Sequence, residues 1–242
     1  MKKQVFTITE NTALTPFLNK LVLKGDTADI KRAGQFINIE ISGFYLRRPL
    51  SVFDKNENTV SVIFKKVGGG TLALSEKAAG DTLDVLTGLG NGYDTSLSGD
   101  SPLLIGGGVG IPPLYLLAKE LISEGKTVTV IMGFNKKDEV FCEKDFRELG
   151  CEVIITTVDG SHGIKGFVTD AMEQEYSYLY TCGPEPMLKA VYKASKTEGQ
   201  FSFEERMGCG FGACMGCSCK TVTGFKRICK DGPVLKKEEI LW

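Results

Sequence analysis

The sequence has little of several features on which whole classes of function depend. It contains one histidine, His162, in 242 residues, so neither a histidine-centred triad nor a multi-histidine metal site is expected. Its 29 lysines and arginines stand against 30 aspartates and glutamates, for a formal charge of −1. This balance offers no electrostatic attraction to nucleic acid or to an anionic membrane. With 42% apolar and 24% charged residues, the chain is expected to fold as an ordinary globular protein.

The sequence also has no segment suited to crossing a membrane. Its first ten residues include two lysines but no apolar core long enough for a signal peptide. Residues 101–118 are uncharged, but Pro102, Pro112, Pro113 and four glycines in this run exclude a single lipid-exposed helix. We therefore expect a cytoplasmic protein with no membrane partner, whose cysteines serve metal or redox chemistry rather than structural disulfides.

Glycine and cysteine, by contrast, are abundant, with 29 and 8 residues respectively, and the chain divides into three regions. Residues 1–98 contain β-rich segments such as 36–41 and 59–64, punctuated by glycines, and this pattern predicts a small antiparallel β-barrel. Residues 99–200 alternate short apolar strands with helical periodicity, which predicts a doubly wound parallel sheet. Residues 201–242 hold five of the eight cysteines and too few apolar residues to fold unaided, so a bound group must organise them.

The periodicity of the middle region assigns its elements individually. Strands are predicted over 103–105, 127–134, 152–158 and 178–180, and helices over 111–123, 143–149, 168–174 and 187–196.

The cysteines near the carboxyl terminus have the spacing of a plant-type [2Fe–2S] site. Cys209, Cys214 and Cys217 form C-x4-C-x2-C, and Cys229 follows twelve residues later. Interspersed glycines allow a tight loop whose backbone N–H groups turn toward sulfur. Three other readings of the cysteines are a four-cysteine zinc site, a thioredoxin-like Cys214–Cys217 pair and inert thiols. For the fourth ligand we favour Cys229 over Cys219, because Cys219 is only two residues beyond Cys217.

Two glycine turns in the middle region each follow a strand and precede a helix. Residues 106–110 read G-G-G-V-G, and residues 181–187 read T-C-G-P-E-P-M. Glycines let a backbone approach a pyrophosphate, and a helix N-terminus favours its negative charge. Both turns would open on the carboxyl edge of the sheet, where ligands bind in open α/β folds. Each turn, taken alone, could equally be a plain strand-to-helix connection.

A further motif lies in the barrel region. Residues 47–51 read R-R-P-L-S between two predicted strands, where arginine suits a phosphate group and serine a single hydrogen bond. Residues 67–71, V-G-G-G-T, offer a second turn that could cradle phosphate. Without further context the two arginines could simply be solvated charges.

Together these motifs resemble the ferredoxin–NADP reductase superfamily over essentially the whole chain. The cysteine cluster with C-K-D-G-P-V at 229–234 resembles one branch of it, the electron-transfer subunits of type B dihydroorotate dehydrogenases. The resemblance implies a six-stranded antiparallel FAD-binding barrel over 1–98, a doubly wound NAD-binding domain over 99–200 and a small [2Fe–2S] domain over 201–242. It also implies an FMN-containing catalytic partner subunit that oxidises dihydroorotate in pyrimidine biosynthesis, in a heterotetramer of two copies of each subunit.

The resemblance assigns binding roles to residues by position, and it assigns no catalytic acid or base. The residues implied to bind FAD are Arg48, Pro49, Leu50, Ser51, Ile63, Phe64, Lys65, Gly70 and Thr71. Those implied to lie along the NAD path are Gly106, Gly107, Gly108, Gly110, Cys182, Gly183 and Pro184. The implied cluster ligands are Cys209, Cys214, Cys217 and Cys229.

The inferred cofactors fit one order of electron flow. A nicotinamide exchanges a hydride and a cluster passes single electrons, so the flavin, which does both, must lie between them. The expected order is partner FMN, cluster, FAD and NAD. An FMN-binding (β/α)8 barrel needs roughly 250 residues, so this chain alone should show NADH–dye reductase activity but no dihydroorotate turnover.

Two alternative functions remain open from the sequence. One is a related FAD and [2Fe–2S] reductase subunit that serves a hydrogenase, a sulfite reductase or a ferredoxin. The other is a zinc-stapled nucleotide-binding regulatory module. NAD rather than NADP rests on the resemblance, because residues 133–138 after the second strand offer no clean acidic partner for a ribose hydroxyl and contain two lysines.

Overall fold

Six antiparallel strands of the N-terminal region close into a barrel in the computed structural model, which describes residues 1–242. The strands are β1 (Lys2–Thr15), β2 (Leu18–Lys24), β3 (Phe36–Ile39), β4 (Arg48–Lys55), β5 (Thr59–Lys65) and β6 (Thr82–Leu89). Their order around the barrel is β1–β2–β5–β4–β3–β6. Phe6 and Ile8 of β1 are buried between exposed neighbours, because alternate side chains of a strand point to opposite faces. The predicted six-stranded barrel is confirmed.

The middle region forms a parallel sheet with helices between its strands. Its elements are β7 (Pro102–Gly107), α2 (Pro112–Ser123), β8 (Thr129–Phe134), α3 (Glu143–Glu148), β9 (Glu152–Thr157), β10 (Ile164–Lys165), β11 (Tyr178–Cys182), α4 (Glu185–Ala194) and β12 (Gly199–Ser202), and α1 (Gly69–Ser75) precedes them in the barrel region. The sheet order is β10–β9–β8–β7–β11–β12, and all its neighbouring strands are parallel. The chain therefore reverses direction across the sheet between β7 and β11, as doubly wound folds do.

One predicted helix is absent from this region. Residues 168–174 were predicted to be helical, but only Val168–Ala171 form a single 3-10 turn. The buried side chains of Val168 and Ala171 are three residues apart, and one 3-10 turn is enough to place them on the same side. The prediction of a longer helix was wrong.

The C-terminal segment combines a small hairpin with one strand of the larger sheet. Strands β13 (Ser218–Thr221) and β14 (Gly224–Arg227) pair with each other, and β15 (Val234–Lys236) pairs antiparallel with β12 as a seventh strand. Ile228, Leu235 and Ile240 are buried in a cluster that also contains Phe36 of the barrel and Leu103 of the sheet. These three side chains thus pack against both preceding regions, whereas other apolar residues of the segment, such as Phe225, remain exposed.

The barrel and the sheet meet along β4 and α2. Phe53 of β4 stacks on Tyr115 of α2 with ring centroids 4.4 Å apart, and Lys119 of α2 forms an ion pair with Asp54 at 2.8 Å. This contact places β4, which begins with Arg48, beside α2, the helix that follows the glycine turn at 106–110. None of the helices is both long and apolar enough to span a membrane.

Candidate cofactor and cluster site

The guanidinium of Arg48 lies at the glycine-rich first turn of α1. A Cβ built on Gly70 would overlap this guanidinium, so the two groups are in direct contact. The guanidinium also lies over the ring of Phe44, 5.2 Å from its centroid, and donates to the carbonyl of Leu46. The side chain is therefore held on two sides, with its charge at the glycine turn, an arrangement suited to a phosphate.

The turn itself is closed by Thr71. Its hydroxyl accepts hydrogen bonds from the backbone N–H groups of Val67 at 3.0 Å and Gly68 at 3.2 Å. It also donates to the carbonyl of Gly68 at 3.1 Å. Thr71 thus shapes the turn, and this use of its hydroxyl was not evident in the sequence.

The remaining residues implied to bind flavin differ in accessibility. Pro49, Leu50 and Ser51 are half-buried on β4 and pair with Asn38, Ile37 and Phe36 of β3.

On β5, the side chains of Ile63 and Phe64 are buried, and Lys65 is exposed. Ile63 lines a cavity of about 230 Å³ with Phe53 and Phe141, on the side of the barrel that faces α3. Because the Phe64 side chain lies in the core, only its backbone is available to a ligand.

The two glycine turns of the sheet lie side by side at its carboxyl edge. Gly106 at the end of β7 is in register with Cys182 at the end of β11. A Cβ on Gly110 would overlap the Cys182 carbonyl, so only glycine permits this close approach. A Cβ on Gly183 would lie 3.2 Å from the backbone nitrogen of Gly107. The turns therefore form one crevice at the point where the strand order reverses, the usual ligand position in such sheets.

Two further members of the implied NAD path, Gly108 and Pro184, lie in these same turns. Gly108 begins the 3-10 turn before α2, with φ of +51°. Pro184 caps the N-terminus of α4. All seven residues implied for the NAD path are consequently at one edge of the sheet.

Cys182 is an uncharged group in this crevice. Burial raises the pKa of its thiol to about 12, against a smaller opposing effect of a hydrogen bond with Ser202. The thiol therefore stays protonated and uncharged at neutral pH.

An acidic residue missed in the sequence lies at the end of the second strand of the sheet. Glu139, in a 3-10 turn after β8, returns to Asn135 and accepts hydrogen bonds from its side-chain amide at 2.9 Å and its backbone N–H at 3.3 Å. It was missed because it lies five residues beyond the strand, and only the turn brings it back.

The four implied cluster ligands lie close together as two pairs. The Sγ atom of Cys209 accepts from the backbone N–H of Cys214 at 3.5 Å, and that of Cys217 accepts from the N–H of Cys229 at 3.4 Å. No three His, Cys, Asp or Glu side chains converge on a single point. Two thiols for each of two irons is the donor set of a [2Fe–2S] cluster, so these residues fit the group.

The protonation of these thiols differs within the site. Burial raises the pKa of Cys209, but N–H donors from Cys214, Phe211 and Ala213 outweigh it and lower the pKa to about 6. Burial and the neighbouring Cys217 thiol raise the pKa of Cys229 to about 12. Cys209 is therefore a ready anionic ligand, whereas Cys229 needs a bound cation to lose its proton.

The C-K-D-G-P-V segment is shaped by an ion pair that sequence reasoning did not identify. Arg227 contacts Asp231 through Nε at 2.9 Å and a terminal nitrogen at 3.1 Å. Its other terminal nitrogen donates to the carbonyl of Gly212 at 3.0 Å. Arg227 thus joins the turn after Cys229 to the loop that carries the first cysteines, and it holds the pKa of Asp231 below its usual range.

The same segment is anchored to the connection between barrel and sheet. The Asn91 side chain donates to the carbonyl of Val234 at 2.7 Å and accepts from its N–H at 3.1 Å. Cys219, the other cysteine of this region, lies on β13 opposite Lys226, and burial raises its pKa.

Comparisons with known proteins bear on both parts of the site. Residues 204–241 match the family model for the iron–sulfur cluster binding domain of dihydroorotate dehydrogenase B. Residues 104–193 match the model for the oxidoreductase NAD-binding domain.

Curated relatives match along the full length. The dihydroorotate dehydrogenase B (NAD(+)) electron transfer subunit of Geobacillus sp. (strain WCH70) is 44% identical, over 100% of this chain and 99% of that protein. The proteins of the same name from Bacillus pumilus and Fusobacterium nucleatum are 42% and 41% identical, over 99% of this chain and 98% and 99% of those proteins.

Solved structures share the architecture. A chain of an NADH-dependent reduced ferredoxin-NADP oxidoreductase superposes with a TM-score of 0.89 at 30% identity, covering 99% of this chain and 90% of that one. A ferredoxin NADP+ reductase from Neisseria gonorrhoeae with bound FAD and NADP superposes with a TM-score of 0.67 at 18% identity, covering 80% and 90% of the two chains. The second likeness shows the fold alone.

Proposed function

The chain belongs to the family of dihydroorotate dehydrogenase B (NAD(+)) electron transfer subunits, and from this membership we propose its function. It passes electrons from a partner dihydroorotate dehydrogenase subunit, by way of one [2Fe–2S] cluster and FAD, to NAD⁺. Dihydroorotate is oxidised on the partner subunit, and the reaction serves pyrimidine biosynthesis. One observation carries this proposal. Four cysteines between residues 209 and 229 lie together as two pairs, in a chain that also contains the barrel and the parallel sheet.

The protein's part in this reaction is to bind and orient the redox groups. When bound, the flavin exchanges two electrons with a nicotinamide and single electrons with a cluster. Arg48 and the turn around Gly70 bind the flavin phosphates, and residues 49–51 with 63–65 line its remaining surface. The crevice between the turns at 106–110 and 182–184 binds the nucleotide. Cys209, Cys214, Cys217 and Cys229 would hold the cluster, which would pass single electrons.

We infer that Glu139 contributes to selection of NAD over NADP. An acidic side chain at the end of the second strand suits the ribose hydroxyls of NAD and repels a 2′-phosphate. Glu139→Gln should raise the KM for NADH by about tenfold, the effect of one lost charged hydrogen bond, and should improve the use of NADPH. Steady-state assays with both nucleotides test this, with Glu148→Gln on the exposed surface of α3 as the control. Unchanged discrimination between the nucleotides would remove Glu139 from the site.

The partner is proposed to be an FMN-containing catalytic subunit, in an assembly of two copies of each chain. We also propose a cytoplasmic location, since a reducing compartment keeps cysteine thiols free, including the four assigned to the cluster. A subunit of a ferredoxin-linked oxidoreductase is the second candidate, because the likeness to such a structure covers nearly the whole chain. The higher identity of the dihydroorotate dehydrogenase relatives favours the first.

Anaerobic purification of the chain with and without its natural partner tests the proposal. We expect a coloured protein with FAD, iron and acid-labile sulfide. The isolated chain should reduce dyes with NADH, and orotate should form only when the partner is present. A colourless chain without labile sulfide would contradict the cluster assignment. Orotate formation by the chain alone would contradict the division of labour, and co-purification with a ferredoxin-dependent enzyme would favour the second candidate.

A further inference from the structure

Asn38 occupies an unusual place for a polar residue. It lies in the middle of β3, is 1% exposed, and is in register with Pro49 on β4 and Leu86 on β6. It therefore stands next to the β4 segment to which flavin binding is assigned. Asparagine is disfavoured in strand interiors, so its presence here calls for a specific contact.

That contact is with the cluster loop, defined as residues 207–217. The Asn38 amide donates to the carbonyl of Cys209 at 3.4 Å, the only hydrogen bond in the structure between a barrel strand and the cluster loop. Gly210 has φ of +78°, and a Cβ there would overlap Asn38 Nδ2. The cluster loop thus comes so near to Asn38 that only glycine fits at the next position.

The other end of the Asn38 amide has no partner. Its Oδ1 is buried and receives no hydrogen bond. A buried acceptor without a donor lowers stability, so what an asparagine contributes here lies on its donor side, in the contact with Cys209. The side chain joins two functional segments, one assigned to the flavin and one that begins with a cluster ligand.

We propose that Asn38 is a positioning residue for electron exchange between the flavin and the cluster. Its amide holds the Cys209–Gly210 peptide against the barrel and thereby fixes the first cluster ligand relative to the flavin-binding strand. The proposal rests on the proposed function, since it takes FAD and the [2Fe–2S] cluster as bound. Hydride transfer between nicotinamide and flavin does not involve this contact.

The test compares two reactions in the chain loaded with both cofactors. NADH donates a hydride, which carries two electrons and one proton. Each oxidised cluster accepts one electron and the proton passes to solvent, so one NADH reduces two clusters. Stopped-flow bleaching of the cluster follows electron exchange, whereas NADH–dye reduction reports the flavin alone. Losing one ordinary hydrogen bond shifts the ratio of docked to undocked loop by about tenfold. Asn38→Ala should therefore slow cluster reduction measurably, by at most about tenfold, and leave the dye rate unchanged.

The matched control is Asn19→Ala. Asn19 is also a buried asparagine on a barrel strand with an unpaired Oδ1, but its amide donates to Asn11 at 3.0 Å, away from the cluster loop. Asn19→Ala should lower stability as Asn38→Ala does, and the rate of cluster reduction should be unchanged. Asn38→Leu keeps the branched shape without the donor, and it serves if the alanine variant does not fold.

Two readouts do not depend on turnover. The EPR spectrum of the reduced cluster should broaden in Asn38→Ala and Asn38→Leu, because the Cys209 peptide is no longer held in one position. Gly210→Ala should disturb the same contact from the loop side. In the double variant Asn38→Ala/Gly210→Ala, the slowing of cluster reduction should be smaller than the product of the two single effects. The methyl group added at residue 210 no longer overlaps the Asn38 side chain there.

The outcomes separate two failures. A wild-type chain that lacks FAD or the cluster contradicts the proposed function. A loaded wild-type chain whose asparagine variants reduce the cluster at the wild-type rate, with an unchanged EPR spectrum, overturns the role of Asn38 alone. Equal slowing of dye and cluster reduction, or equal slowing by Asn19→Ala, also overturns it, because the effect would then be general.

Discussion

The barrel and sheet, on one side, and the segment from 203 to 233, on the other, are held together by different forces. In the first, side chains such as Leu21, Val62, Leu104 and Leu117 are fully buried, and the fold follows from burial of apolar surface. In the second, the chain is mostly irregular, and its course is fixed by a few polar contacts and by cysteines. We therefore expect the first region to be a preformed scaffold and the second to depend on its bound cluster for stability.

The sharpest way to break this comparison is to remove one cluster ligand. Cys217→Ser should abolish the iron–sulfur absorption bands and leave FAD bound, because the flavin residues lie in the scaffold. Visible spectra and labile-sulfide analysis measure both. Cys219→Ser, two residues away, is the control and should keep the cluster. Survival of the bands in Cys217→Ser would contradict the ligand assignment.

The stability of the barrel and sheet should depend on core packing and not on the cluster. Leu117 of α2 is fully buried, and Leu117→Ala should lower the free energy of unfolding by about 2–5 kcal/mol, whether or not the cluster is present. Urea unfolding followed by circular dichroism measures this. Leu241→Ala, at an exposed site, should change it by less than about 0.5 kcal/mol. A Leu117→Ala effect that appears only in the loaded protein would show that the scaffold is not independent.

Removing one polar contact of the cluster segment should weaken cluster binding less than removing one of its cysteine ligands does. Asp231→Asn weakens the half-exposed pair with Arg227 and should cost about 1 kcal/mol, seen as several-fold faster loss of the cluster to a chelator. Because Arg227 lowers the pKa of Asp231, the pair contributes fully above the ordinary value of 3.8. Its contribution is lost only as the pH falls through the lower folded value, so the wild-type advantage should be constant from pH 5 to 8. A difference that fades within that range would contradict the assignment.

The smallest effect is expected where the barrel meets the sheet. Glu120 of α2 accepts from the Ala33 N–H at 3.2 Å, and burial raises its pKa above the ordinary 4.5. A raised folded pKa means that this stability is complete below 4.5 and is lost as the pH rises through the folded value. Glu120→Gln, which keeps an acceptor without the charge, should raise stability at pH 7 by less than about 1 kcal/mol. The melting temperatures of Glu120→Gln and the wild-type protein should converge below pH 4.5. A stability advantage of Glu120→Gln that grew toward low pH would contradict this prediction.

The sequence was most informative where a pattern is repeated or rigidly spaced. Strand alternation predicted the barrel, the strand–helix rhythm predicted the parallel sheet, and the spacing of Cys209, Cys214 and Cys217 predicted paired thiols. It failed over 168–174, because apolar spacing in a short segment does not distinguish a helix from a single 3-10 turn. It could not identify Asn38, Glu139 or Arg227, since each acts through a partner that is distant in the chain or beyond a turn.

The amino-acid sequence by itself determined the class of each region and the chemistry available to it, because periodicity and ligand spacing are local properties. Only the tertiary structure decided that the glycine turns at 106–110 and 182–184 share one crevice, that the thiols approach as two pairs, and that Asn38 reaches the loop of Cys209. The physical reason is that these contacts join segments up to 171 residues apart. Their geometry depends on how the barrel, the sheet and the cluster segment pack together.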